Sequence, residues 1–507
     1  MGSSSVLNGR LATGTRGLDY VLRGGLPKRR IHLVHGGPGT GKTTLALQFL
    51  RTGACQGERA LYVTLLQTKD ELLATVRSHG WDLDGVDVLE LPADVRQSTA
   101  QEQTLFTPAD IELNEATDAV LRAIEEYRPQ RLVFDSLTEF AALVETPYQF
   151  RRQVLRLREQ LSRADCTTLL TIATGGGAEA ELESLRTMVH GVIALDSQAP
   201  LYGQPRRRLE VSKMRGMPYL EGYHDMRIRT GGIEVYPRLE VPTERRKTSW
   251  DAIPSGNERL DAMLGGGLER GTACLLTGTT GAGKSSLASL YVQSSAQRGE
   301  HAAIFCFDER RETFLRRSTG LGMEIARFVD EGLVDLRQVN AGNVSPGEFM
   351  QIVRRSVDQD GARVVVIDSL SGYLNAMPEE RHLMVQLHEL LSYLSAAGVL
   401  TLLVVASHGG IVGHEARIDA SYVADAVLLV RHFEARGEIR RCLSVLKKRH
   451  GPHENTIREI RMSSAGIEVG EPLREFSGVL TGKPSYHGLP RDLMDRPNQG
   501  EREEQRS

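Results

Sequence analysis

The fold of this chain is decided by two glycine-rich stretches, Gly36-Gly37-Pro38-Gly39-Thr40-Gly41-Lys42-Thr43 and Gly278-Thr279-Thr280-Gly281-Ala282-Gly283-Lys284-Ser285. Both fit the pattern GxxxxGK followed by Ser or Thr, and each lies between a short apolar run and a helix-like pattern. Glycines here let backbone N–H groups turn towards phosphate oxygens, while the following helix directs its positive end at the same anion. Because this context occurs twice, we interpret both stretches as P-loops rather than chance turns.

The residue types of the loops predict how ATP and Mg²⁺ are held. We expect Lys42 and Lys284 to reach the β- and γ-phosphates, and the hydroxyls of Thr43 and Ser285 to bind Mg²⁺. The ATP contacts predicted for the first loop are Gly36, Gly37, Pro38, Gly39, Thr40, Gly41, Lys42, Thr43 and Thr44. Those predicted for the second loop are Gly278, Thr279, Thr280, Gly281, Ala282, Gly283, Lys284, Ser285 and Ser286.

A later apolar run in each half of the chain ends in an acidic residue. Arg131-Leu132-Val133-Phe134-Asp135-Ser136 supplies Asp135, and Val364-Val365-Val366-Ile367-Asp368-Ser369 supplies Asp368. The carboxyl end of a buried parallel strand is where ligands bind in open α/β sheets. Since a P-loop lies upstream in both halves, we expect Asp135 and Asp368 to hold Mg²⁺ or its water shell rather than only to cap a strand.

The segment that leads into the first loop recurs before the second. Thr13-Gly14-Thr15-Arg16-Gly17-Leu18-Asp19 corresponds to Ser255-Gly256-Asn257-Glu258-Arg259-Leu260-Asp261. The residue numbers differ by 242 throughout, from 14 and 256 through 19 and 261 to 36 and 278. A constant offset without a gap indicates a duplicated domain, and the period is far too long for one unit of a solenoid.

Short β-branched runs alternate with amphipathic stretches in both copies. The predicted buried strands are 31–35, 60–64 and 131–134 in the first copy and 274–277, 302–307 and 364–367 in the second. Residues 113–127, with Ala116, Val120 and Ile124 on one face, form a predicted helix. This alternation predicts an α/β fold in which each copy has a mostly parallel sheet with helices on both faces.

Domain limits follow from the same pattern. Pro242, Thr243 and a run of charges interrupt it near residues 241–250, which predicts a first domain at 1–245 and a second at 246–487. The remaining residues, 488–507, are polar and charged, and we expect them to be a disordered tail.

Composition bears on the compartment and on the partners. The formal net charge of −3 gives no general basic field, so a nucleic-acid partner is not indicated, although a local basic groove is compatible with this total. Five scattered cysteines without metal-ligand spacing favour reduced thiols and hence a cytoplasmic protein. No run approaches the roughly 18 to 20 apolar residues of a membrane span, so we expect a soluble protein.

The lead-in TGTRGLDYVLRGGLP, the two P-loops and the paired Asp-Ser strands resemble the KaiC family of circadian-clock ATPases. The resemblance runs from about Leu11 to about Gly488 and includes the duplication. It implies two tandem RecA-like P-loop NTPase domains and a double-ring homo-hexamer with ATP between neighbouring subunits. It also implies signalling partners such as a KaiB-like protein.

The resemblance further implies a pair of acidic residues after the strand that follows the P-loop helix, one of which activates the attacking nucleophile. The second copy has Asp308 and Glu309 there, whereas the first copy has Leu66 and Gln67 at the same offset. Leucine cannot accept a proton and glutamine is a very poor base. Because such assistance contributes about 10²- to 10⁴-fold, we expect the first copy to bind ATP but turn it over slowly. The predicted catalytic residues are Asp308, Glu309, Lys284 and Asp368.

A Lys-x-Arg pair on a late strand is also implied, reaching the nucleotide of a neighbouring subunit. Lys213 and Arg215 match it in the first copy, and Lys447 and Arg449 match it in the second. His450 stands where the family usually has glycine. An arginine supplied in trans stabilises charge on the γ-phosphate and makes catalysis depend on assembly. An exposed basic strand end is the alternative for an isolated motif.

Autophosphorylation of adjacent Ser and Thr residues in the second domain is a further implication of the resemblance. Ser421 and Tyr422 lie at those positions, so that serine is retained and tyrosine replaces threonine. A Ser421 hydroxyl activated by Asp308 or Glu309 would compete with water for the γ-phosphate. The alternative, that Ser421 is an ordinary loop residue in an enzyme that only hydrolyses ATP, stays open.

These patterns favour an ATP-driven, self-phosphorylating signalling ATPase, with the second copy catalytic and the first holding ATP for assembly. Leu66 and Gln67 argue against a timekeeping role for the first ring, so a clock function is a family-level suggestion. Two other functions stay open. One is a RecA-like DNA motor, for which Pro205-Arg206-Arg207-Arg208 and residues 447–449 are the obvious basic clusters. The other is a scaffold in which ATP only joins subunits.

Overall fold

In the computed structural model the chain divides into two compact units, Met1–Arg238 and Leu239–Ser507. The structure describes residues 9–65, 67–91, 108–142, 146–175, 179–199, 204–240, 251–340, 342–375, 383–406, 422–435, 437–479 and 485–487. The predicted domain junction at 241–250, the predicted disordered tail at 488–507 and the candidate phosphoacceptor Ser421 lie outside these ranges.

The first unit alternates strands and helices and then ends in consecutive strands. Its elements are β1 Arg10–Leu11, α1 Leu18–Val21, β2 Leu26–Pro27, β3 Ile31–Gly36, α2 Lys42–Cys55, β4 Ala60–Thr64, α3 Lys69–Ser78, β5 Val86–Glu90, α4 Pro108–Tyr127, β6 Arg131–Asp135, α5 Leu137–Ala142, α6 Pro147–Arg163, β7 Thr167–Ala173, α7 Glu179–Met188, β8 Gly191–Gln198, β9 Arg206–Met214, β10 Tyr223–Arg229 and β11 Gly232–Tyr236.

The second unit repeats this order. Its elements are β12 Ala252–Ile253, α8 Glu258–Met263, β13 Leu268–Glu269, β14 Ala273–Gly278, α9 Lys284–Gln297, β15 Ala302–Cys306, α10 Arg311–Gly320, α11 Ile325–Asp330, β16 Val334–Gln338, α12 Pro346–Asp358, β17 Val364–Asp368, α13 Leu370–Asn375, α14 Leu383–Ala396, β18 Leu400–Ala406, β19 Ala426–Ala435, β20 Glu438–Lys448, β21 Ile457–Ser463, β22 Gly466–Pro472, β23 Phe476–Ser477 and β24 Ser485–Tyr486.

Each unit contains one nine-stranded sheet, and the two sheets have the same topology. The orders are β11-β10-β9-β8-β3-β7-β6-β4-β5 and β22-β21-β20-β19-β14-β18-β17-β15-β16. The six strands from β8 to β5, and from β19 to β16, are parallel, and the other three in each sheet are antiparallel. The predicted α/β class is therefore confirmed, and the antiparallel extension is an addition that the sequence patterns did not predict.

Both faces of each sheet are buried, which explains the uninterrupted apolar strands. In β4, Ala60 and Tyr62 pack in the cluster that contains α2 and α3 side chains. Leu61 and Val63 pack on the opposite face, with side chains of α4 and α6. Successive strand residues point to opposite faces, so a strand covered on both sides has no polar alternation.

Local signals fix where the helices begin. Thr68 caps α3 in a capping box with Glu71, and Thr146 caps α6 in the same way with Gln149. In α12 the side chain of Ser345 accepts a hydrogen bond from the Glu348 amide, and a proline occupies the first turn. The sequence therefore specifies these helix starts locally, before any tertiary contact forms.

Candidate functional site

Both P-loops lie at the carboxyl end of a central strand, between parallel neighbours on either side. Strand β3 pairs with β7 and β8, and β14 pairs with β18 and β19. The chain leaves β3 after Gly36 and β14 after Gly278, then enters α2 and α9 at the P-loop lysines. This is the switch point of the sheet, where open α/β folds bind ligands.

Glycine is required where the loops leave their strands. A Cβ on Gly36 would lie 2.3 Å from the carbonyl oxygen of Leu195, and one on Gly278 would lie 1.7 Å from that of Val430. Gly278 also has a φ of +143°. Any larger residue would therefore push the loop away from the neighbouring strand and misplace the N–H groups that face a phosphate.

The P-loop lysines are directed inwards over their own loops. Lys42 Nζ donates to the carbonyl oxygens of Gly36 and Gly37, both at 2.8 Å. Lys284 Nζ donates to the carbonyls of Gly278 at 2.9 Å and Thr279 at 2.7 Å. Burial lowers the pKa of both ammonium groups, opposed by the nearby carboxylates of Asp135 and Asp368. An anionic phosphate chain bound at this place would therefore stabilise the charged form of each buried lysine.

The predicted metal ligands meet in both copies. In the first, the Thr43 hydroxyl donates to Asp135 Oδ2 at 2.7 Å. In the second, the Ser285 side chain hydrogen-bonds with Asp368, whose pKa is raised by burial. A hydroxyl oxygen beside a carboxylate is a donor set that suits Mg²⁺. The residues present therefore fit the metal that P-loop chemistry requires.

The two carboxylates have different surroundings. Asp135 also accepts hydrogen bonds from the Tyr62 hydroxyl at 2.6 Å and from Thr171. Tyr62 lies opposite Val133, and the same register in the second copy places Ile304 opposite Val366. Val404 pairs with Asp368, where the first copy has Thr171 beside Asp135. The first carboxylate thus accepts hydrogen bonds from three hydroxyls, whereas at the second carboxylate Ile304 and Val404 stand in place of Tyr62 and Thr171.

Asp308 lies next to Asp368, the carboxylate predicted to hold Mg²⁺ in the second copy. The Phe307 amide donates to the Asp368 carbonyl at 2.7 Å, so the chain crosses above β17 as it leaves β15. The Ser369 hydroxyl donates to one carboxylate oxygen of Asp308. A Cβ on Gly372 would lie 2.3 Å from the other oxygen, so only glycine leaves room for this carboxylate.

Glu309 is held by Arg317, which sequence reasoning missed. Arg317 donates from Nη2 at 2.8 Å and from Nε at 3.2 Å, one bond to each oxygen of Glu309, and from Nη1 to the Ser286 hydroxyl at 3.0 Å. One guanidinium thus connects the acidic pair to the P-loop helix. The signal was available, because Arg317 follows Glu309 by eight residues, about two helical turns.

The first copy keeps Ser136 at the position of Ser369, but the other residues of this arrangement differ. Leu66 lies outside the described residues, and the Gln67 carbonyl accepts a hydrogen bond from the Thr64 hydroxyl at 3.2 Å. Thr75 stands at the position of Arg317, and Glu139 stands at that of Gly372. A side chain at 139 occupies the direction that glycine keeps open for Asp308. The loss of the acidic pair is therefore accompanied by changes in the residues around it.

Comparison with known proteins agrees with this architecture. A family model described as ATPase: KaiC matches residues 11–240 and again 253–474, one match for each unit. The chain belongs to the KaiC family of ATPases. It is 28% identical over 480 residues to the circadian clock oscillator protein KaiC of Parathermosynechococcus lividus, covering 93% of this chain and 87% of that protein. It is 27% identical over 488 residues to KaiC3 of Synechocystis, covering 94% and 95%.

The family resemblance is therefore confirmed, together with the tandem RecA-like fold and ATPase character that it implied. No described helix is long and apolar enough to cross a membrane. Within the described ranges, no group of three or more His, Cys, Asp and Glu side chains could hold a metal. All five cysteines are free thiols, four of them buried.

The Lys-x-Arg motifs of this KaiC-family chain occupy equivalent places in the two sheets. Lys213 pairs with Val192 and Lys447 pairs with Val427, and a register shift follows each pair. Arg215 donates to the carbonyl of Thr187 at 3.0 Å, and Arg449 donates to that of Tyr422 at 2.9 Å. Both arginines thus lie against the chain segment that precedes β8 or β19.

This contact locates the candidate phosphoacceptor region of the KaiC-family chain. Tyr422 is 58% exposed, and Ser421 beside it lies outside the described residues. Arg449 also forms an ion pair with Asp425 at 3.2 Å, which ties it to the start of β19. The second motif and the segment that follows Ser421 are therefore neighbours within one chain.

Arg317 offers a first prediction for this site. Replacing it by alanine should lower ATP turnover about tenfold, because Glu309 and Ser286 lose their common partner and the acidic pair is no longer held over the loop. Steady-state phosphate release by the full-length protein measures this. Arg316→Ala is the matched control, since Arg316 is exposed on the same helix. Equal rates for the Arg317 and Arg316 variants would contradict a positioning role.

Proposed function

We propose that this KaiC-family ATPase hydrolyses or transfers the γ-phosphate of ATP in its second domain, at 246–487. In this proposal the first domain, 1–245, binds ATP and turns it over slowly or not at all. The observation that carries the proposal is the acidic pair Asp308 and Glu309, supported by Ser369 and Arg317 in the second copy and absent from the first.

The residues of the second copy divide the chemistry as follows. Lys284 and the backbone of 278–283 bind the phosphates of ATP, while Ser285 and Asp368 hold Mg²⁺. When bound, Mg²⁺ neutralises charge on the β- and γ-phosphates. Asp308 accepts the proton of the attacking water or serine hydroxyl, because among the described residues only one of its oxygens accepts a hydrogen bond, while both oxygens of Glu309 are engaged by Arg317. Glu309 positions the base and the loop.

Assembly completes the proposed site. Lys213 and Arg215, or Lys447 and Arg449, extend from one subunit towards the nucleotide of the next in a homo-hexameric ring. The arginine then stabilises negative charge on the transferred phosphate. Support comes from the equivalent strand positions of the two motifs and from the names of the relatives, which are clock oscillator proteins. Docking of a KaiB-like signalling partner and a cytoplasmic location belong to the same proposal.

Serine autophosphorylation is the finer part of the proposal. The Ser421 hydroxyl takes the place of water, its oxygen bonds to the γ-phosphorus of ATP, and ADP leaves. Asp308 receives the hydroxyl proton. The proximity of Arg449 to Tyr422 favours this segment as acceptor, since phosphate there would find a guanidinium already in place. Hydrolysis without autophosphorylation is the alternative.

Incubation with Mg²⁺ and γ-labelled ATP tests the acceptor. We expect label to accumulate on the wild-type chain and to disappear in Ser421→Ala, with phosphate release retained. Tyr422→Phe is the matched control and should keep the label if serine is the acceptor. Label retained in Ser421→Ala but lost in Tyr422→Phe would assign the tyrosine instead. Phosphate release without label on any variant would leave an ATPase that is not an autokinase.

The same preparation addresses the two other functions. A scaffold would give neither label nor released phosphate. A DNA motor would bind DNA with a steep salt dependence. The basic run at the start of β9 gives little support to the motor, because Arg208 pairs with Asp225 and Arg207 donates to the Gly39 carbonyl of its own P-loop.

A further inference from the structure

A second concave site lies in the first unit, at the ends of the strands that face away from the P-loop. It is an open cleft of about 1130 Å³ at the amino ends of β3, β6 and β7. We call it the basic cleft, after the five cations among its lining residues: Lys28, Arg29, Arg59, Arg128 and Arg163. None of them belongs to the nucleotide site described above.

The acidic side chains of the basic cleft are already engaged. Glu58 forms an ion pair with the buried Arg131. Glu125 accepts a hydrogen bond from Gln160 at 2.7 Å, and Asp165 pairs with Arg29 at 2.7 Å. Glu58 and Asp165 are thus paired with arginines, of which the partner of Glu58 lies in the core, whereas the partner of Glu125 is a neutral amide.

Three of the cations are left over. Lys28, Arg59 and Arg128 are exposed, and among the described residues their side chains have no hydrogen-bonded or ion-paired partner. They come from three different turns, before β3, before β4 and before β6. The cleft therefore presents an excess of positive charge that is not neutralised within the described part of the unit.

The backbone is strained at three charged residues that line the cleft, one of which is Arg128, unpaired among the described residues. Arg29 has a φ of +58°, Arg128 of +45° and Asp165 of +58°, all in the left-handed region that favours glycine. The second copy has Gly271, Gly361 and Gly398 at the three equivalent positions, each with a φ between +73° and +75°. Charged residues have thus replaced glycine at three turns around one cleft, and an exposed ion pair between two of them stabilises little. Such strain is characteristic of functional sites.

The second copy also neutralises the equivalent surface. Arg270 stands at the position of Lys28 and forms an ion pair with Glu300, the counterpart of Glu58. Arg298 pairs with the same carboxylate at 3.1 Å. In the first copy Glu58 pairs with Arg131 instead, so it does not neutralise Lys28. The excess charge is therefore a property of the first copy and not of the fold.

We propose that the basic cleft is a docking site for an acidic segment of a partner protein. Three exposed cations on separate turns around an open cleft suit an extended chain of carboxylates, which arginine binds in a bidentate way. A small anion would need a more enclosed pocket, since small-ligand sites bury most of their ligand. The proposal does not depend on the catalytic assignments above.

Fluorescence anisotropy with a fluorescein-labelled peptide of eight glutamates tests the proposal on the full-length protein. We expect binding that weakens with added salt and that a serine-glycine peptide of equal length does not show. Arg128→Gly should weaken binding about threefold, and the combined Lys28→Ala, Arg59→Ala and Arg128→Gly variant at least about tenfold. ATP turnover should stay at the wild-type rate in both.

A matched control distinguishes the loss of docking from the general effects of removing an arginine charge and a left-handed backbone. Arg23 is also left-handed, with a φ of +56°, has a glycine counterpart in Gly265, and lies outside the cleft. Arg23→Gly and Arg128→Gly should each raise the melting temperature by about 2 °C, but only the latter should weaken peptide binding. Equal weakening by both variants, no binding by wild type, or displacement of the peptide by equimolar inorganic polyphosphate would each overturn the proposal.

Discussion

Replacing Asp308 by asparagine should lower ATP turnover by about 10²- to 10⁴-fold, whereas replacing Glu309 by glutamine should lower it about tenfold or less. The two acids are adjacent in sequence but differ in their contacts. Asp308 accepts a hydrogen bond from the Ser369 hydroxyl through one oxygen, and no described residue donates to the other, which lies beside Gly372. Both carboxylate oxygens of Glu309 accept hydrogen bonds from Arg317. A base needs an unengaged lone pair directed at the proton that it removes, so the larger loss belongs to Asp308.

Steady-state phosphate release and single-turnover label transfer measure this difference. Both variants keep the size of the native side chain, so ATP binding should be unchanged and can be checked with a fluorescent nucleotide. Gly372→Ala gives an independent route, because the added methyl would collide with the Asp308 carboxylate while every polar group is kept. It should reduce turnover as well. A larger loss in Glu309→Gln than in Asp308→Asn would reverse the assignment.

Residual turnover in Asp308→Asn would report on the first copy. Glu139 stands where the second copy has Gly372, the residue that lies against Asp308, so its carboxylate is a candidate substitute for the missing acids. Adding Glu139→Gln to Asp308→Asn distinguishes residual ATP turnover by the second copy from turnover by the first copy. No further loss is the expected result, in keeping with a first domain that holds ATP. A further loss would show that the first copy uses Glu139 as its base.

The fold could be predicted from the sequence because its signals are local. The P-loop glycines, the apolar strands and the constant offset of 242 each depend on a few consecutive residues. The strand predicted at 60–64 is β4, and that predicted at 302–307 ends one residue earlier, at Cys306. The helix predicted at 113–127 begins earlier, at Pro108. Errors at element ends are expected when tertiary contacts decide the last turn or the last ladder pair.

The antiparallel strands and the second layer of the site could not be predicted in this way. Strands β9, β10 and β20 each contain several charged residues, so they lack the apolar runs that marked the parallel strands. The pairing of β15 with β17 sets the position of Asp308. The roles of Arg317, Ser369 and Gly372 depend on that position, so they could not be inferred from local sequence. Comparison of the two copies residue by residue around the acidic pair would have indicated Arg317 and Gly372.

The second large predicted effect concerns Arg131 and the stability of the first unit. Its side chain is fully buried, pairs with Glu58, donates to the carbonyls of Ala12 at 2.7 Å and Phe49 at 2.9 Å, and lies 4.8 Å from the Phe49 ring centroid. A Cβ on Gly53 would come within 2.5 Å of it, so glycine there makes room for the arginine. The second copy has Val364 and Ser295 at these two positions and needs no such group.

Arg131→Met should therefore destabilise the first unit by about 3 to 5 kcal/mol, because it leaves a carboxylate and two carbonyls without their buried donor. Guanidinium unfolding followed by Trp81, in a Trp250→Phe background, reports on the first unit, since Trp81 packs in its core. Arg163→Met is the matched control: its ion pair with Glu159 is exposed, and we expect a change within about 0.5 kcal/mol. If Arg131→Met costs less than about 1 kcal/mol, the network is not what holds the amino end of the sheet together. The release of Lys28 into the basic cleft would then need another cause.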